Sequence, residues 1–139
     1  MIRNTLTDKP KQQLLRILIV DDSPQVRQEL RSLLLLSDEV EIVGEAVDGQ
    51  EAISQAELLR PDVVVMDMEM PNLDGVSATS KIKLRKLANR VVILSVHSEP
   101  EDLDRAMQAG ADAFVQKGSP YSTLIESIHP YKPKKERRK

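Results

Sequence analysis

Five short apolar runs recur along this chain: Arg16–Val20, Val40–Val43, Val63–Met66, Val91–Leu94 and Ala113–Val115. Continuous runs of this kind read as strands covered on both faces, as in a parallel sheet. Amphipathic stretches separate them. Val26, Leu30, Leu33 and Leu34 make one helical stripe, and Ala52, Ala56 and Leu59 another. Leu103, Ala106 and Met107 should pack inward from a later helix, and Tyr121, Leu124, Ile125 and Ile128 form the last stripe. Between them Val76, Ala78, Ile82 and Leu87 share a side only loosely. A β-α unit repeated five times over about 113 residues predicts a single α/β, doubly wound (βα)5 domain with helices on both faces.

Helix punctuation agrees with that reading. Ser23 can cap a helix that has Pro24 at its first position, and Ser119-Pro120 repeats the pattern. Asp48 with Glu51, and Ser98 with Glu101, read as capping boxes, while Pro61 and Gly110 mark helix ends.

Right-handed crossovers bring all the strand C-termini to one edge, where open α/β sheets bind ligands. The polar residues at those ends are Asp21, Asp22, Asp67, Ser95 and Lys117. Singly, each has a plainer explanation as a cap, a loop hydroxyl or a solvated lysine. Together they make a charge problem, because carboxylates ~5 Å apart repel by roughly 3 kcal/mol at an effective dielectric near ~20. A hard cation resolves it. Mg²⁺ (with Mn²⁺ as the alternative) suits carboxylates, a backbone carbonyl and waters, and favours a site shared with phosphate. Lys117 and Ser95 could then contact phosphoryl oxygens, and Asp67 could attack phosphorus to form an aspartyl phosphate.

Composition narrows the classes. There is no Cys, and with two His a thiolate or His-rich metal centre is excluded. Phe114, Tyr121 and Tyr131 are the whole aromatic set, so the core is aliphatic. No apolar stretch approaches the ~20 residues of a membrane span. Arg16 interrupts the Leu14–Val20 run and acids follow it, so it does not read as a signal peptide. A cytoplasmic protein without membrane contact is expected. Residues 1–128 hold 14 Lys/Arg against 21 Asp/Glu, and residues 129–139 six against one. The compact part is therefore acidic and unsuited to direct nucleic-acid binding. Residues 1–15 read as a flexible leader, and 129–139 as a basic tail or linker.

The segments ILIVDDS, PDVVVMDMEMPNLDG, VVILS and AGADAFVQKG together resemble the receiver domain of two-component response regulators over 16–128. VGEAVDGQEAI and ILSVHS are most similar to receivers of the LuxR/NarL class. The resemblance implies a flavodoxin-like sheet of order 2-1-3-4-5 and a set of roles. Asp67 is the phosphoacceptor, supplied by a sensor histidine kinase or phosphotransfer protein. Asp21, Asp22, Asp67 and the Glu69 backbone carbonyl hold Mg²⁺. Ser95 and Lys117 contact the phosphoryl group, and Phe114 turns with Ser95 as a switch. Glu69 and His97 tune hydrolysis. The surface of the fourth helix, fifth strand and fifth helix engages a downstream protein or a second copy. Two positions depart from the common family pattern: Phe stands at 114 where many have Tyr, and Gly118 follows Lys117 where many have Pro.

Other readings stay open at this point. The chain could be a stand-alone receiver or the receiver portion of a longer LuxR/NarL-type DNA-binding regulator. An aspartate-nucleophile phosphohydrolase would want a second Asp where Glu69 stands. A flavin module would want a phosphate-binding loop where Asp21-Asp22 stands. A receiver that takes no phosphate would not need the full acid, hydroxyl and lysine set.

Overall fold

A computed structural model of the chain describes residues 14–129. The leader and basic tail read from the sequence fall outside these residues, except at their inner ends: Leu15 already belongs to the first strand, and His129 ends the last helix.

The elements alternate from β1 (Leu15–Val20) and α1 (Pro24–Leu34) to β2 (Val40–Ala46) and α2 (Gly49–Leu59). They continue through β3 (Val63–Asp67), α3 (Gly75–Leu84), β4 (Arg90–Ser95), α4 (Pro100–Gln108), β5 (Ala113–Gln116) and α5 (Tyr121–Ile128). The five-stranded sheet has order β2-β1-β3-β4-β5 and every pairing is parallel, so the doubly wound, flavodoxin-like expectation holds.

Alternate strand residues divide the core into two layers. Leu18, Val20, Val64, Met66, Val91 and Ile93 face α2, α3 and α4, which contribute Ala52, Ala56, Ala78, Ile82 and Ala106. Ile17, Ile19, Val63, Val65, Val92 and Leu94 face α1 and α5, which contribute Leu30, Leu34, Leu124 and Ile128. All of β3 is buried, which is why its sequence runs apolar without alternation.

The start signals held at two helices and shifted at two. Ser23 accepts from the Val26 N–H and Asp48 from the Glu51 N–H. Glu51 Oε1 accepts from the Val47 N–H rather than from that of the cap residue itself. At α4 the cap is Glu99, whose N–H donates to Asp102 Oδ2 at 3.3 Å, rather than Ser98 with Glu101. Pro100 forces this: it occupies the first helical position, so the residue before it must be the extended cap. At α5 Pro120 itself is the cap residue, and Ser119 Oγ donates instead to the Gln116 carbonyl.

Three inward assignments are corrected. In α4 only Ala106 is buried; Leu103 and Met107 are 43% and 45% exposed. A single small residue facing the sheet leaves its larger neighbours on the flanks, half in solvent. Leu33 of α1 also lies outward, because Leu30 and Leu34 already fill the inner stripe. At the opposite end of the sheet from the strand C-termini, Arg90 Nε donates to the Ser127 carbonyl at 2.7 Å, tying the end of α5 to the start of β4.

Candidate functional site

Each chemically equipped residue sits where a strand stops. Asp21 follows β1, and its N–H donates to the Ala46 carbonyl of β2. Asp67 ends β3 opposite Leu94, and Ser95 ends β4 opposite Gln116. The Lys117 N–H continues that ladder to the Ser95 carbonyl at 2.8 Å.

These residues meet. Carboxylate oxygens of Asp21, Asp22 and Asp67 lie within 4.8 Å of one another, two of the side chains buried and Asp22 exposed. Lys117 Nζ reaches into the group, 3.1 Å from Asp21 Oδ2 and 3.2 Å from Asp67 Oδ1. Asp21 Oδ1 accepts the Ser23 N–H at 2.9 Å. Asp67 Oδ1 also lies 3.4 Å from the Glu69 N–H. An all-oxygen donor set on separate loops, open on the Asp22 side, fits a hard divalent cation.

Burial pushes the Asp67 carboxyl above the ordinary aspartate range; Lys117 opposes this and the Asp21 charge reinforces it. For Lys117 burial works downward, but its bond to Asp21 and the charges of Asp67 and Asp21 outweigh that and raise it. The lysine is therefore a firm cation in a site short of positive charge.

Around this centre, Ser95 is buried and its Oγ accepts the His97 N–H at 3.0 Å. His97 Nε2 stands 3.7 Å from Glu69 Oε1, both side chains largely exposed at the rim. Phe114 is partly buried and packs on the α2–α4 layer.

Sequence reasoning marks Asn72 to Gly75 as a turn, and the structure gives these residues their particular roles. Asp74 caps α3 by accepting the Ser77 N–H, and Asn72 takes a left-handed φ of 70° while donating to Asp48. Gly75 is packed against backbone: a Cβ there would lie 2.1 Å from the Asp67 carbonyl oxygen and 3.1 Å from the Met68 Cα. Neither atom can swing aside. Gly75→Ala is expected to lose about 3 kcal/mol in a thermal or urea unfolding curve, the upper range for forced overpacking. Unchanged unfolding would show that the β3–α3 turn yields easily.

The fold and this acid-lysine constellation define a receiver-type signalling domain. The sequence profile of the response regulator receiver domain matches residues 17–129, and the chain belongs to that family. Among its relatives are the nitrate/nitrite response regulator protein NarL of Escherichia coli (strain K12), 33% identical over 81% of this chain and 52% of that protein. The transcriptional regulatory protein PdtaR of Mycobacterium tuberculosis (strain ATCC 25618 / H37Rv) is 42% identical, over 81% of this chain and 54% of its own. The chain thus spans about half the length of the curated relatives it matches. A solved signal receiver domain, that of the putative response regulator NarL from Mycobacterium tuberculosis, superposes with a TM-score of 0.79. It is 30% identical and is covered over 99% of its length and 86% of this chain. The domain is a receiver of the LuxR/NarL type. Among the described residues no helix is long and apolar enough to cross a membrane.

Proposed function

We propose that Asp67 is the phosphoacceptor of this receiver. The observation that carries the reading is the meeting of three carboxylates with Lys117 at one sheet edge. An Asp67 oxygen attacks the phosphorus of a phosphohistidine; the O–P bond forms as the P–N bond breaks, and the imidazole of the donor leaves with the bonding pair. The donor protein is a sensor histidine kinase or a phosphotransfer protein. Asp21, Asp22 and Asp67, with the Glu69 backbone carbonyl, would hold Mg²⁺ or Mn²⁺, which when bound supplies charge neutralisation to the transferring group. Lys117 and the Ser95 hydroxyl take the remaining phosphoryl oxygens. Beyond accepting phosphate and losing it to water, the chain needs no catalytic activity of its own.

Added phosphate brings about −1.5 to −2 of charge beside Ser95. Ser95 and Phe114 form the element this charge biases, and α4, β5 and α5 the surface that answers. Exposed Leu103 and Met107 on α4 support that surface as the place where a downstream protein or a second copy docks. The Glu69–His97 pair at the rim fits a part in controlling water access to the phosphorylated Asp67. The working compartment is the cytoplasm. A second reading, a receiver working within a longer DNA-binding regulator, is favoured by the roughly doubled length of the relatives. The phosphoryl chemistry is the same in both.

The test is incubation with acetyl phosphate and Mg²⁺. One phosphate per chain should appear, stable to acid and labile to base, and EDTA should block it. A chain that stays unlabelled by acetyl phosphate and by a panel of phosphorylated kinases is no phosphoacceptor.

A further inference from the structure

Behind the acid pair stands a residue that none of the sequence motifs includes. Arg27, in the first turn of α1, donates from Nη1 to the Asp21 carbonyl at 2.7 Å and from Nε to Glu45 Oε1 at 2.9 Å. One turn on, Arg31 Nη1 donates to Glu45 Oε2 at 3.1 Å. Glu45, on β2, is thus held at both oxygens, and Arg27 spans from it to the β1–α1 loop. The Arg27 side chain is only 16% exposed.

The Asp21 carbonyl is one end of the peptide plane joining Asp21 to Asp22. Fixing that plane fixes the direction in which Asp22 leaves the loop. The Asp21 carboxylate has its own anchors in Ser23 N–H and Lys117. The Asp22 carboxylate has no hydrogen bond or ion pair among the described residues and is exposed. Its aim depends on the backbone beneath it.

We infer that Arg27, braced by Glu45, is a positioning residue for divalent-cation binding, and that it acts on Asp22 through the Asp21–Asp22 peptide. This rests on the reading of the acid cluster as the Mg²⁺ site. Positioning and plain electrostatics predict opposite signs. Arg27 is a cation close to a cation site, so removing its charge alone should tighten Mg²⁺ binding. Loss of positioning should weaken it.

The experiment is calorimetric titration of Mg²⁺ into the unphosphorylated full chain, with thermal unfolding in EDTA to confirm folding. Arg27→Gln should raise the Mg²⁺ dissociation constant about tenfold, the scale seen when a partner orienting a metal ligand is removed. Labelling by acetyl phosphate should slow at limiting Mg²⁺ and recover at saturating Mg²⁺. Glu45→Gln, which leaves Arg27 without its brace, should shift the dissociation constant in the same direction. Unchanged or tighter binding by a folded Arg27→Gln chain overturns the inference. Should that variant not fold, unchanged binding by Glu45→Gln overturns it instead. If the unsubstituted chain binds no Mg²⁺, the reading of the acid cluster fails first and takes the inference with it.

Discussion

Asp67→Asn is expected to abolish phosphate uptake from acetyl phosphate and, in the same chain, to raise the melting temperature in metal-free buffer at neutral pH. Both effects come from one carboxylate. Asn cannot attack phosphorus, so labelling should fall to background. The stability gain follows from the Asp67 carboxyl being raised, chiefly by burial, above its ordinary 3.8. Between the unfolded and folded pKa values the native state binds more protons than the unfolded state, so stability falls as pH rises through that window. Above the window Asp67 is ionised in a place that favours its neutral form, and Asn stands in for the neutral form. Lys117 keeps Asp21 as a partner at 3.1 Å in the variant. The stability difference should therefore shrink as pH drops toward the ordinary aspartate range, where Asp67 is protonated. Retained labelling in the variant would place the acceptor elsewhere. A variant that melts lower at neutral pH would show that Lys117 attraction outweighs burial.

The second large effect belongs to Lys117→Met. One ammonium serves two carboxylates, one 1% exposed and the other 10%. Removing a single partner from such a group leaves buried charge uncompensated, and about 3 kcal/mol of stability should go in EDTA at neutral pH. The loss has a ceiling, because a stranded carboxylate can take up a proton instead. Two conditions should narrow the gap to the unsubstituted chain: mildly acidic pH, and millimolar Mg²⁺, which stabilises by binding only the folded state. Urea unfolding across both conditions checks this. A deficit that ignores pH and Mg²⁺ alike would mean the lysine matters for packing and not for charge.

The layout of the domain was legible because strands and helices carry different periods. Val63–Met66 could be placed between two helical layers simply because it does not alternate, and parallel crossovers then placed Asp21, Asp67, Ser95 and Lys117 on one edge. What escaped were contacts that need the register of separate elements. Arg27 meets Glu45 only because the ends of β1 and β2 lie side by side, and no local pattern joins positions 18 apart. The tight passage of Gly75 over the Asp67 carbonyl reads in sequence as one more turn glycine. At α4 the Ser98–Glu101 pattern pointed one residue early, and Pro100 sets the cap at Glu99; the rotation that leaves Leu103 and Met107 half outside depends on how closely Ala106 approaches the sheet. Where the folded chain puts a side chain outward, an apolar stripe alone cannot say so.

The Arg90 clamp on Ser127 has a spatial consequence. Arg90 opens β4 and Ser95 closes it, so the departure point of the chain at His129 is separated from the acidic rim by roughly 20 Å, a strand of six residues. On the proposed function, a donor protein seated over Asp67 would stand at the pole opposite the end of α5. Contacts made at the His129 end and contacts made at the acidic rim therefore need not compete for the same surface.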